Sequence, residues 1–239
     1  VASLAASPAN STEAPGGWIP ALARDLKQHS GASLVVAGDQ QPPVVHAIVH
    51  AINQALGNFD KSVYFTQPLE ESPDNQWSSL GQLAADLRSG SVTTLLILGG
   101  NPAYDAPADL GFKDLLPKVP FSARLGHYED EPSARCHWHI PEAHELESWS
   151  DARAYDGTVS VIQPLIAPLY GGKSGLEVLA ALSGKAGKSS HDTVREYWKA
   201  QRPNEANFDA FWEKTLRDGV VAGTAFPPKQ ISLKSGIGA

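Results

Sequence analysis

Methionine is absent from this 239-residue sequence and cysteine occurs once, at Cys136. A single thiol excludes an internal disulfide, and it excludes the four-thiolate frameworks that hold iron–sulfur clusters or structural zinc within one chain. Long apolar runs are missing as well. The longest, residues 92–98 and 159–169, fall far short of the roughly 20 residues that span a bilayer, and the second is broken by Pro164 and Pro168. Basic charge is scarce: 19 Lys and Arg stand against 26 Asp and Glu, a net charge of −7. No stretch concentrates cations as a phosphate-backbone binder requires, which argues against a nucleic-acid partner. Nucleophile elbows, Walker loops and the dinucleotide fingerprint Gly-x-Gly-x-x-Gly are absent too.

What is present is an alternation of helix and strand patterns. Residues 18–28 place Ile19, Leu22, Ala23 and Leu26 on one helical face. Residues 33–37 read as a short buried strand. Pro42-Pro43 then opens a helix running to Leu56 and closed by Gly57. A second strand is expected over 62–66, a helix over 78–88, and the strongest strand over 94–98, which is continuously apolar and is expected to be central. A short helix at 109–116, a strand at 121–125, a helical turn at 131–137 and a strand at 138–140 follow. Residues 143–172 change texture to turns and short extended pieces, with Asp156-Gly157 and Tyr170-Gly171-Gly172 as breakers. Helices return at 174–182, 191–200 and 208–217, and the tail after Phe226 reads as loose.

Strands alternating with helices at this spacing predict an α/β fold, a doubly wound and mostly parallel sheet of Rossmann-like type, with an irregular excursion and C-terminal helices. The expected organisation is a linker over 1–16, a Rossmann-like domain over 17–184, and a helical C-terminal extension over 185–239. The small, polar, turn-prone first sixteen residues read as a linker within a longer polypeptide, so a targeting signal is expected outside this sequence.

In open α/β sheets, ligands sit beyond the carboxyl ends of the strands. Gly99-Gly100-Asn101-Pro102 occupies that place after the strongest strand. Two glycines permit close backbone approach or positive φ, Asn101 can bond backbone or ligand, and Pro102 fixes the exit. The same four residues also suit a plain tight turn, so both readings stand. Gly38-Asp39-Gln40-Gln41 is a companion loop of the same kind. Cys136, His137, His139 and His144 form the densest set of potential metal ligands, yet Trp138 and Pro141 interrupt them and no second cluster supports them. Glu142, Glu145, Glu147 and Asp151 are close enough for paired acid–base work, although an acidic surface loop explains them more simply. From the residues alone, the expectation is a crevice without a reactive group.

The series Leu95-Leu96-Ile97-Leu98-Gly99-Gly100-Asn101-Pro102-Ala103, then Lys118-Val119-Pro120, Leu125-Gly126 and Tyr128-Glu129-Asp130-Glu131, resembles the molybdopterin oxidoreductase family. The stretch from His137-Trp138-His139-Ile140-Pro141-Glu142 through Asp156-Gly157-Thr158 is similar to one branch, the molybdopterin-oxidoreductase-like subunit of the quinol-oxidising alternative complex III. Gln163-Pro164-Leu165-Ile166-Ala167-Pro168-Leu169-Tyr170-Gly171-Gly172 and residues 218–226 extend the likeness. The resemblance implies that Gly99, Gly100, Asn101 and Pro102 lie where relatives contact molybdopterin guanine dinucleotide. No Cys, Ser or Asp stands in a recognisable molybdenum-ligand segment, and this branch is understood to have lost the metal cofactor. The implied function is therefore a domain of a quinol:acceptor electron-transfer subunit that scaffolds and carries no catalytic residue or bound cofactor of its own. The alternative is a cofactor-pocket domain of an active molybdenum oxidoreductase, and a nucleotide-binding module is a third reading. The implied partners are other domains and subunits of a respiratory complex, including iron–sulfur domains, at the periplasmic face of the cytoplasmic membrane.

Overall fold

The computed structural model describes residues 17–70 and 75–231. The expected linker over 1–16 and the end of the C-terminal tail, 232–239, lie outside the described residues. The chain divides into two compact units, with the divisions falling between residues 67 and 68 and between 225 and 226.

The first unit holds α1 (Trp18–Gln28) and α2 (Pro43–Ala55). Pro43 begins α2, where a missing N–H costs nothing because that donor has no intrahelical partner. The expected strand at 33–37 is extended but joins no ladder. The buried amide of Asn53, on α2, occupies its backbone instead: Val35 N–H donates to Asn53 Oδ1 at 3.1 Å, and Asn53 Nδ2 donates to the Val35 carbonyl at 2.7 Å. The expected strand at 62–66 reduces to isolated bridges, Phe59 with Val63 and Phe65 with Lys229. A side chain in the first place, and short bridges in the second, satisfy backbone groups that a neighbouring strand would otherwise take.

The second unit opens with α3 (Gln76–Ser89), capped by the Asn75 side chain at Ser78 N–H and closed by Gly90 at φ 75°. Next come β1 (Thr94–Leu98) and the single turn α4 (Pro102–Asp105). The helix expected at 109–116 is a chain of 3-10 turns, because Gly111 adopts φ 55° and Pro117 removes a donor. β2 (Phe121–Gly126) and β3 (Trp138–Pro141) complete a parallel sheet in the order β1-β2-β3. This establishes the expected α/β class, but with β2 at the centre and β1 at an edge of the assigned sheet. Register pairs Ile97 with Arg124 and Arg124 with His139.

The excursion holds a regular hairpin, β4 (Ser150–Arg153) against β5 (Val159–Ile162), which β6 (Val220–Val221) joins from far along the chain. Between them run α5 (Gly175–Leu182), α6 (Ser190–Gln201) and α7 (Phe208–Asp218). Ser174 and Glu177 form a reciprocal capping box on α5. Two apolar clusters result. Ala84 and Leu87 of α3, Ile97 of β1, and Phe112, Leu115, Leu116 and Val119 pack around the parallel sheet. Val159, Val161, Val194, Trp198, Phe208, Trp212 and Val221 join the antiparallel sheet to α6 and α7.

Candidate functional site

A parallel sheet delivers the loops after all its strands to one edge, and here those loops begin at Gly99, His127 and Glu142. Gly99 N–H still donates to the Leu125 carbonyl at 3.0 Å, so pairing continues one residue beyond β1. Gly99 and Gly100 then take φ 65° and 61°, a conformation that only glycine adopts without strain. A Cβ built on either glycine would meet no atom within 4 Å, which leaves this stretch of backbone open. Pro102 starts α4. A cleft of ≈ 250 Å³ lies beside it, with Tyr104, Pro107, Phe112 and Lys113 among its walls.

Asn101 is already occupied on both sides. Its Oδ1 accepts the Tyr104 N–H at 3.1 Å, and its Nδ2 donates to Glu131 Oε2 at 2.7 Å. The hydrogen bond from Asn101 holds the Glu131 carboxyl below its ordinary range, so it is anionic at neutral pH.

The neighbouring Asp130 is held by Arg124, a residue that composition and periodicity did not single out. The Arg124 side chain is 5% exposed and reaches Asp130 Oδ2 at 2.9 Å. It also donates to the Leu125 carbonyl, and its Nε has no partner among the described residues. A Cβ at 126 would come within 2.7 Å of the guanidinium carbon, so any larger residue there would displace the Arg124 head group. Burial pushes the Asp130 carboxyl up, but hydrogen bonds from Arg124 and Ser133 outweigh that and hold it below its usual range. An arginine inside a strand with an acid six residues on was the available signal.

The sequence cluster of cysteine and histidines is separated in space. Cys136 is half-buried and packs against the apolar cluster under β1. His137 Nδ1 lies 3.0 Å from Ser122 Oγ, and His139 Nδ1 lies 3.0 Å from Ser133 Oγ. Among the described residues, no group of three or more His, Cys, Asp and Glu side chains is arranged to hold a metal ion. His144 and His127 lie with ring centres 5.5 Å apart and their planes tilted by 52°, and His127 Nδ1 sits 3.9 Å from Glu142 Oε2.

Of the acidic residues, Glu147 and Asp151 bond groups within the chain. Glu147 accepts the backbone N–H groups of His144 and Leu169, which lower its carboxyl below the ordinary range. Asp151 accepts the indole N–H of the buried Trp198 at 2.8 Å. Gly38–Gln41 belongs to the first unit, where Gln41 N–H closes a turn on the Gly38 carbonyl at 3.0 Å.

The ionised Glu131 thus stands at the open backbone of Gly99 and Gly100, held by one of the two Asn101 amide hydrogens. Among the described residues no helix is long and apolar enough to cross a membrane.

No protein-family model matches the chain. The chain spans about a fifth of the curated relative it matches, 21% of that protein's length. The chain is 32% identical over 150 residues, 58% of its own length, to the menaquinone reductase molybdopterin-binding-like subunit of Nitratidesulfovibrio vulgaris, a likeness that supports a molybdopterin-oxidoreductase-like kinship.

Proposed function

We propose that this chain is an α/β portion of a subunit in a quinol:acceptor electron-transfer complex of the alternative complex III type. In it the chain organises neighbouring parts and performs no chemistry of its own. The observation that carries this reading is the bond from Asn101 to Glu131, which puts an internal carboxylate at the loop where the family resemblance puts the cofactor. The partners are other domains and subunits of a respiratory complex, among them iron–sulfur domains, at the periplasmic face of the cytoplasmic membrane. The test is metal analysis and pterin extraction of the natural polypeptide that carries this chain. Substoichiometric molybdenum and no released pterin are expected; stoichiometric molybdenum with a pterin overturns the reading.

The second reading, one wall of a molybdopterin guanine dinucleotide pocket formed by Gly99, Gly100, Asn101 and Pro102, is favoured by one feature. The backbone at both glycines faces open space. That reading requires Glu131 to leave Asn101 when the cofactor arrives.

A further inference from the structure

The chain has eight histidines. Among the described residues, six of them meet a hydrogen-bond or ion-pair partner, and the two that meet none, His46 and His50, both stand on α2. A spacing of four residues is just over one helical turn, so both imidazoles rise from one face with their Cβ atoms about 5–6 Å apart. Asn53 continues the same face, and its amide is spent on Val35. The two histidines are half-buried. His50 packs against Phe65 with ring centres 5.6 Å apart, and its Nδ1 is enclosed without a partner, whereas its Nε2 is not enclosed. Two partly desolvated imidazoles side by side, with no protein group bonded to either, are polar groups that call for a ligand.

The donor set decides which ligand. Neutral imidazole nitrogen suits late first-row divalent ions, and two histidines four apart on a helix are a spacing at which zinc is held. Calcium and magnesium require oxygen ligands, and α2 contains neither Asp nor Glu. Two protein ligands leave the other positions of the ion to water. No acceptor orients the enclosed His50 Nδ1, so the ion is held exchangeably rather than as a structural centre.

We propose that His46 and His50 form a two-imidazole site on α2 for a late first-row divalent ion. Calorimetric titration of the full chain, free of any histidine tag, with Zn²⁺ is expected to show one saturable site. The heat is expected to be lost in His46→Gln and in His50→Gln and kept in His127→Gln. Absence of saturable binding in the wild type, or binding kept in His46→Gln, overturns the proposal. Loss in His127→Gln assigns the ion to the loops beyond β2 and β3 and also overturns it.

Because His50 packs on Phe65, a second measurement leaves every side chain in place. Long-range ¹H–¹⁵N NMR of the wild type is expected to show the ring nitrogens of both His46 and His50 shifting as Zn²⁺ is added, and unchanged shifts at either residue overturn the chelate. Competition by an equal concentration of Mg²⁺ overturns the imidazole donor set. The site does not rest on the scaffolding reading: molybdenum in the parent would defeat that reading and leave the zinc titration unchanged, and failure of the titration would defeat the α2 site alone.

Discussion

The Asn101 side chain on the loop after β1 donates to the Glu131 carboxylate on the loop after β2, at 2.7 Å. The bond joins two strand ends at the sheet's carboxyl edge. Asn101→Ala removes the donor that lowers the Glu131 carboxyl, so the Glu131 pKa is expected to rise toward the ordinary glutamate value. Because the folded value is depressed, the contribution to stability is present above the unfolded value and is lost as pH falls through the folded one. A side-chain carboxyl NMR titration of wild type and variant reads the shift. In a thermal-shift series, wild type is expected to show no response to millimolar guanine or adenine nucleotides.

Arg124 and Asp130 form the most enclosed ion pair of the second unit. Arg124→Met leaves Asp130 without its guanidinium partner, and a loss of about 3 kcal/mol is expected, moderated because Asp130 keeps 20% exposure. The pair also gives a pH signature. Asp130 titrates below the usual aspartate range in the folded chain, so its stabilisation is complete above about pH 4 and declines as pH falls through the lowered value. Denaturation midpoints measured across acid pH should show a shallower decline in Arg124→Met than in wild type.

Gly172 and Gly81 respond oppositely to alanine. A Cβ at Gly172 would come 2.9 Å from the Ala143 nitrogen and 3.1 Å from the Glu142 carbonyl carbon, where Glu142 and Lys173 form a parallel bridge beyond β3. Backbone cannot yield cheaply, so Gly172→Ala is expected to cost about 1–3 kcal/mol. Gly81 lies inside α3, and a methyl group there would meet no atom within 4 Å. Gly81→Ala is expected to stabilise by up to about 1 kcal/mol. Melting temperatures of the two variants, measured side by side, check both signs.

Asn53 is 2% exposed and satisfies both backbone groups of Val35. It also accepts a bond from Asn58 Nδ2 at 3.0 Å. Asn53→Ala strands these donors and acceptors, and a loss of about 2–3 kcal/mol in the first unit is expected. Because the chain has two compact units, amide exchange at residues 33–37 is the appropriate readout. Faster exchange there, with β2 unaffected, is the predicted result.

Helices and the first parallel strand were readable because periodicity and capping are local. Asn75, Ser174, Ser189 and Asn207 each accept the N–H three residues on, and Gly90 and Gly219 close their helices at positive φ. The hairpin of β4 and β5 was readable in principle from Asp156-Gly157, a favoured hairpin turn, with Arg153 and Val159 alternating about it. Its β6 strand was not, since Val220 and Val221 reach β5 only through long-range pairing. The same holds for the place of β2. Ser122 and Arg124 make Phe121–Gly126 look half polar, and their burial is tolerable only because His137, the Leu125 carbonyl and Asp130 meet them in space.

By itself the sequence determined the α/β alternation, the strand over 94–98 and the glycine-rich turn that follows it, because these depend on side-chain size, branching and backbone freedom within a few residues. Tertiary structure decided that β2 sits at the centre of the sheet and that residues 33–37 bind an asparagine rather than a strand. It also decided that Asn101 meets Glu131 thirty positions away, which turns a turn-like motif into a loop filled by its own carboxylate. The reason is physical: hydrogen-bond satisfaction of buried or paired polar groups is a property of where distant residues meet, which spacing along the chain does not encode.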